Sequence, residues 1–156
     1  MKNIIEKIKR KDNIAVFILF FLISLGISLN IYLESNDEIW NFQNVYKMYN
    51  GFKIYEEINV IITPLFFWIA EGIFHLLGAN LCIFRISHCV FMSILFLMTY
   101  KILKKLKIPK TLSLLAVLVI CLQEFFLMIR TSFNYNNMAL LFFVIGTFYL
   151  INEKTR

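Results

Sequence analysis

The sequence lacks the short motifs by which many soluble enzymes are identified. It contains no Gly-rich phosphate loop, no nucleophile elbow and no CxxC pair. Its three cysteines, Cys82, Cys89 and Cys121, lie inside apolar runs, and their number is odd. Because they also lack metal-ligand spacing, we interpret them as small core residues and expect neither a disulfide framework nor a cysteine metal site.

Charge is also scarce, and it is unevenly distributed. Charged residues make up 17% of the chain and hydrophobic residues 60%, including 17 Phe, and the mean hydropathy is +0.72. Residues 14–33 contain no charge at all. A helix of about 20 residues extends about 30 Å, the thickness of the hydrocarbon core of a bilayer. The sequence therefore predicts an all-α integral membrane protein, with residues 1–156 forming a single membrane domain.

The basic residues predict how the chain crosses the membrane. One cluster precedes the first apolar run and a second lies between the third and fourth runs: Lys2, Lys7, Lys9, Arg10, Lys11; Lys101, Lys104, Lys105, Lys107, Lys110. By the positive-inside rule, both clusters and both termini are cytoplasmic if about four segments span the membrane: 14–33, 81–103, 111–129 and 138–151. We expect a multi-pass plasma-membrane protein that contacts anionic lipids and has no nucleic-acid partner.

Residues 34–80 then form an outer loop that carries two juxtamembrane helices. Asn36 can cap a first helix that begins at Asp37, has an apolar stripe suited to the membrane surface and stops at Asn50-Gly51. An extended segment follows. The second helix starts near Pro64 and ends near Gly78. We predict that residues 60–79 do not cross, since Glu71 and His75 would be costly in lipid.

The acidic pair Asp37-Glu38 has two interpretations on physical grounds alone. Acids in a first helical turn interact favourably with the helix dipole, by about 0.3–1 kcal/mol. Alternatively, the pair is the reactive end of an enzyme. Glu71 and His75, four residues apart, favour a buried hydrogen-bonded pair over a metal site, because no further ligands lie nearby in sequence.

The order of these features resembles the N-terminal part of the GT-C membrane glycosyltransferases. The resemblance is closest to the family 39-like branch, which includes protein O-mannosyltransferases and the lipid A aminoarabinose transferase. It rests on an ordered set of features: a first span, then the "DE" pair Asp37-Glu38, then a "G-x-x-x-Y-x-[DE]" pattern at Gly51, Tyr55 and Glu57. A proline-led helix follows, from Pro64 to an "LLG" ending at Gly78, and Arg85 lies seven residues after that glycine.

The resemblance implies transfer of a sugar from a polyprenyl-phosphate donor to an acceptor on the outer face. It places Asp37 as the general base or substrate-orienting carboxylate, with Glu38 as the second catalytic candidate. The candidates for substrate binding are Glu57, Arg85, Asn134 and Asn136. Arg85 can contact lipid phosphate or pair with a loop carboxylate such as Glu71. The asparagines can hydrogen-bond a sugar or simply form a turn.

The chain also departs from this family. Thr63 precedes Pro64 where a basic residue is frequent, and the family's chains have roughly ten or more spans. We therefore expect a fragment, or a subunit that needs a further membrane partner or a missing C-terminal part. The alternative is a small non-catalytic membrane protein, such as an assembly partner or anchor. No cofactor is identified, no metal-ligand set is predicted, and the need for a divalent metal is left open.

Overall fold

The computed structural model describes residues 2–30, 36–126 and 133–154, which fold into six α-helices. Their bounds are α1 Lys2–Asn30, α2 Asn36–Tyr49, α3 Leu65–Leu77, α4 Leu81–Lys105, α5 Lys110–Phe126 and α6 Tyr135–Lys154. Within these ranges there is no β-strand, and a single β-bridge joins Ile54 to Ile58. The prediction of an all-α membrane protein is confirmed.

Among the described residues, three helices are long and apolar enough to cross a membrane. These segments are Lys11–Asn30, Leu81–Lys105 and Tyr135–Glu153. The fourth predicted span corresponds to α5, which has 17 residues, and a helix of that length extends about 26 Å. Its crossing therefore stays a prediction. The 13 residues of α3 extend about 20 Å, too short to cross as a helix, and the placement of this segment on the outer face stays a prediction.

Helix α4 is the centre of the bundle and contacts α1, α3, α5 and α6. Its buried face combines large apolar residues with small polar ones, as is common where helices approach closely in membranes. Phe96 of α4 packs on Phe20 of α1, with ring centroids 5.3 Å apart. Val117 and Cys121 of α5 and Leu141 of α6 complete this core. Cys89 and Cys121 are buried, in agreement with their interpretation as core residues, whereas Cys82 in the first turn of α4 is exposed, so that interpretation is wrong for Cys82.

A second, strongly aromatic core holds α2 and α3 against the first turn of α4. Phe42 of α2 lies 5.7 Å, centroid to centroid, from Phe74 of α3 and the same distance from Phe84 of α4. Phe133, just before α6, contacts Phe66 and Phe84 at 5.1 and 5.4 Å. We call α2, α3 and Phe133 the α2–α3 layer. The apolar stripe of α2, predicted to rest on the membrane, thus packs largely against protein.

Two glycines end the helices of this layer where the sequence indicated. Gly51 (φ +92°) follows α2, and its N–H donates to the Met48 carbonyl at 2.8 Å. Gly78 (φ +104°) follows α3, and its N–H donates to the Phe74 carbonyl at 2.9 Å. Positive φ at the residue after a helix favours glycine, because it has no Cβ to clash. Both predicted ends are confirmed.

Candidate functional site

A buried ion pair joins Glu38 of α2 to Arg85 of α4. Arg85 Nε donates to Glu38 Oε1 at 2.7 Å, and a second guanidinium nitrogen, Nη2, donates to Oε2 at 2.8 Å. Nη1 of the same guanidinium donates to the carbonyl of Ser28 in α1 at 3.1 Å. Side-chain exposure is 2% for Glu38 and 11% for Arg85. The fork geometry of arginine suits this bidentate contact, which ties three helices together.

Asp37 occupies the same helical turn but is not buried with this pair. Its side chain is exposed, and its backbone carbonyl accepts a hydrogen bond from Asn41 Nδ2 at 2.8 Å. Successive residues of an α-helix point about 100° apart. Because Glu38 is fixed on Arg85, the direction in which the Cα–Cβ bond of Asp37 leaves α2 is fixed as well. A negative charge at a helix N-terminus interacts favourably with the helix dipole.

Arg85 therefore pairs with a carboxylate of the first loop, but with Glu38 rather than Glu71. Glu71 instead approaches His75, with 3.7 Å between Oε1 and Nε2. That separation is too long for a hydrogen bond, and the two side chains are 27% and 57% exposed. The buried hydrogen-bonded pair predicted for these residues is wrong. His75 packs instead on the ring of Tyr49, with centroids 4.9 Å apart.

The segment between α2 and α3, predicted to be extended, contains a tight turn in which Glu57 takes part. Its Oε2 accepts the backbone N–H of Lys53 at 2.8 Å. Tyr55 has φ +70°, and its hydroxyl donates to the Ile62 carbonyl at 2.7 Å. Both motif residues thus shape this turn, while the Glu57 side chain stays exposed. The positive φ at Tyr55 has no signal in the sequence, since tyrosine rarely adopts it.

The two asparagines before and within α6 differ in their surroundings. Asn134 is buried, and its Oδ1 accepts the backbone N–H of Asn137 at 2.9 Å, the geometry of a helix N-cap. Asn136 is exposed in the first turn of α6. The contact of Phe133 with Phe84, next to Arg85, places Asn134 at the same end of the bundle as the ion pair.

Several buried polar residues lie near the pair, and two of them, Asn41 and Asn44, were missed by the sequence analysis. Asn41 and Asn44 of α2 are 1% and 7% exposed, and His88 of α4 is fully buried. Asn41 Oδ1, Asn44 Nδ2 and both His88 nitrogens have no hydrogen-bond partner among the described residues. The signal was present: Glu38 and Asn41 lie three residues apart, and Arg85 and His88 repeat that spacing on α4.

Each end of the molecule has a cavity. A cavity of about 300 Å³ lies in the α2–α3 layer, between Gly51–Ile54 and Trp68 of α3. A larger one, of about 430 Å³, lies at the other end, around Lys101. Among the residues that the structure describes, no three His, Cys, Asp or Glu side chains are grouped so that they could hold a metal ion.

Comparison with known proteins gives one match. The profile of the family described as dolichyl-phosphate-mannose-protein mannosyltransferase matches residues 62–154, more than half of the chain. Arg85, Asn134 and Asn136 lie within the match, whereas Asp37, Glu38 and Glu57 precede it. No curated protein and no solved structure matches significantly. With its apolar helices and this match, the chain is a glycosyltransferase-like membrane protein that belongs to the dolichyl-phosphate-mannose-protein mannosyltransferase family, a GT-C-like family.

Proposed function

We propose that this chain supplies the acceptor-activating part of a glycosyltransferase that takes its sugar from a polyprenyl phosphate. The reaction would occur at the end of the bundle where the α2–α3 layer lies, which we call the α2–α3 end, on the outer face of the plasma membrane. Asp37 would act as general base. The family match supports the class of reaction, and the exposed Asp37 beside the buried Glu38–Arg85 pair supports the assignment of the base.

The observation that carries the assignment is the different environment of two adjacent carboxylates. Glu38 is bound through both oxygens to Arg85 and is almost completely buried. It therefore acts in our proposal as a positioning residue, and so does Arg85. Asp37 is the acid of the pair whose side chain is open to a ligand. A positioned, ionised carboxylate can accept a proton from a hydroxyl within about 3 Å.

The chemistry in this proposal is a single displacement at the anomeric carbon. The acceptor hydroxyl oxygen forms a bond to C1 of the sugar while the bond from C1 to the phosphate oxygen breaks. The proton of the hydroxyl passes to the Asp37 carboxylate, and the polyprenyl phosphate leaves as an anion. A donor of this kind diffuses within the bilayer, so its site belongs at the boundary where α2 and α3 lie against α4. Glu57 and Asn136, both exposed at this end, remain candidates for contacts with the substrate.

The topology forms part of the same proposal. If α5 crosses despite its 17 residues, four spans place both termini and Lys101–Lys110 in the cytoplasm. Asp37 would then face outside. Cysteine introduced at position 105 should resist a membrane-impermeant maleimide in intact cells, and labelling there would contradict this orientation.

The test of the catalytic proposal is Asp37→Asn in the full-length protein expressed in its own host membranes. Dolichyl-phosphate mannose, the donor in the name of the family, is the first probe, and undecaprenyl-phosphate mannose is the second. We expect consumption of the accepted donor to fall about a hundredfold or more, since a general base contributes about 10²–10⁴. The helix-dipole interpretation predicts a change worth only about 0.3–1 kcal/mol in helix stability and near-normal turnover.

Glu56→Gln is the matched control, because Glu56 is also an exposed carboxylate at this end, 3.3 Å from Lys53. It should leave turnover unchanged. Near-normal turnover in Asp37→Asn would remove Asp37 as the base. If the wild-type protein consumes neither donor while remaining folded and inserted, the non-catalytic alternative is favoured.

A further inference from the structure

The larger cavity lies at the end of the bundle opposite Asp37 and is lined by positive charge. Three lysines of the last turns of α4 border it, Lys101, Lys104 and Lys105, together with Tyr100. Residues 101, 104 and 105 are spaced i, i+3 and i+4, so they lie on one face of the helix. Basic residues that only determine membrane orientation need no particular arrangement. The three lysines instead border one cleft, of about 430 Å³.

The opposite walls of this cleft come from α1 and α6. Asp12 and Asn13 of α1 contribute polar groups, and Phe148 of α6 contributes an apolar surface. Lys101 Nζ lies 5.8 Å from the centre of the Phe148 ring, close enough for a cation–π interaction. The Asp12 carboxylate, the acidic group of the lining, is 3.0 Å from Lys110 Nζ. The electrostatic balance of the cleft is therefore strongly positive.

The ends of two apolar segments put the cleft at the depth expected for lipid phosphates. The candidate span of α1 begins at Lys11 and that of α4 ends at Lys105, so both helices would leave the hydrocarbon layer here. Side chains that project outward nearby are apolar, such as Ile14 (50% exposed) and Tyr149 (61% exposed). A ligand with a phosphate head and hydrocarbon chains would match both surfaces. Basic pockets between membrane helices bind such head groups in other proteins.

We propose that this cleft binds the phosphate head group of an anionic membrane phospholipid, held by Lys101 and Lys104 with its acyl chains along α1 and α6. The volume falls within the roughly 300–1,000 Å³ of small-molecule sites. Lys101 is 16 residues from Arg85 along α4, about 24 Å, so the site is separate from the α2–α3 end. The inference does not depend on the proposed sugar transfer.

The test measures lipid binding to the purified full chain by native mass spectrometry from detergent micelles. The probes are dioleoyl-phosphatidylglycerol, its zwitterionic phosphatidylcholine analogue and free glycerol phosphate. We expect the first bound phosphatidylglycerol to be at least tenfold tighter than phosphatidylcholine. Lys101→Gln/Lys104→Gln should reduce that preference at least fivefold, and Lys101→Arg/Lys104→Arg should retain it. Raising the salt concentration should weaken the preference as well.

The matched control is Lys47→Gln/Lys53→Gln, which removes the same charge from exposed lysines at the other end of the molecule. It should keep the wild-type preference. An unchanged preference in the Lys101/Lys104 glutamine variant, with an unchanged melting temperature, would overturn the proposal. Binding of free glycerol phosphate as tight as that of the lipid would also overturn it, since the site would then serve a soluble phosphate.

Discussion

Two ion pairs at opposite ends of the bundle, Glu38–Arg85 and Asp12–Lys110, use the same chemistry in different surroundings. Glu38 and Arg85 are 2% and 11% exposed and meet through two short hydrogen bonds. Asp12 and Lys110 are 40% and 51% exposed and meet through a single contact of 3.0 Å. Arginine has a rigid fork that fixes the relative orientation of α2 and α4, whereas the lysine ammonium imposes little directional order.

The difference indicates what each end can do. At the α2–α3 end, the ion pair stabilises the packing of the helices. A buried pair tolerates one geometry, and removing one partner lowers the stability of the protein. The adjacent Asp37 gains a fixed direction from it. At the opposite end, which carries the cleft lysines and which we call the lysine end, the charged groups stay in contact with solvent. The lysines of the cleft can therefore rearrange around a ligand. Comparing variants at the two ends separates these roles.

The largest effect should come from Arg85→Met, which leaves Glu38 buried without its cation. Removing one partner of a buried pair costs about 3–5 kcal/mol. We expect the free energy of unfolding in mixed detergent micelles to fall by about that amount. The double variant Glu38→Leu/Arg85→Met should regain much of the loss, since no charge is then left buried. A loss below about 1 kcal/mol in Arg85→Met would mean that the pair does not hold the layer in place.

The next loss, of about the same size, should follow from Phe133→Ala in the aromatic core. Phe133 is 1% exposed and contacts the rings of Phe66, Phe84 and Phe91, so truncation leaves a cavity among them. Substitutions of this kind cost about 3 kcal/mol or more in soluble cores. The control is Phe143→Ala on α6, where the side chain is 72% exposed and leaves no internal cavity. Equal losses in both, read from the unfolding midpoint in the same detergent, would contradict the packing described for the layer.

The smallest effect should come from Lys110→Gln at the lysine end. Its hydrogen bond to Asp12 raises the pKa of Lys110 above the usual value near 10.5. The contribution of the pair to stability is therefore present at pH values below 10.5 and is lost as the pH rises through the raised pKa. Lys110→Gln should lower the melting temperature slightly at low salt and not at about 1 M salt, where the Debye length is about 3 Å. A loss as large as that of Arg85→Met would remove the contrast between the ends.

Local patterns were sufficient to predict most of the helices. Residues 81–103 and 138–151 were predicted as spans because long apolar runs in a bilayer leave no alternative to helix, and α4 and α6 cover both. The end of α3 was predicted because Gly78 follows an apolar run. The sequence predicted four spans rather than five, and the crossing of α5 stays a prediction because its 17 residues lie between the length of a core helix and that of a span.

The partner of Arg85 could not be predicted in the same way. Glu38, Glu57 and Glu71 were all available in the first loop, and the choice depends on how α2 packs against α4. That packing is decided by aromatic contacts such as Phe42 with Phe84, between residues far apart in the chain. The separation of Asp37 from Glu38 follows from the same contacts. The sequence indicated the acidic pair but not which acid faces outward.

The link between Glu38 and Arg85 also has a consequence for the order of events during synthesis. Arg85 is 47 residues downstream of Glu38. At about 5–20 residues per second, the ribosome adds a segment of that length in roughly 2–9 s. During that interval Glu38 has no Arg85 to pair with, so α2 cannot take its final position until the start of α4 has been synthesised. The docking of α2 is therefore a late step, because it follows synthesis of the start of the second membrane-spanning helix.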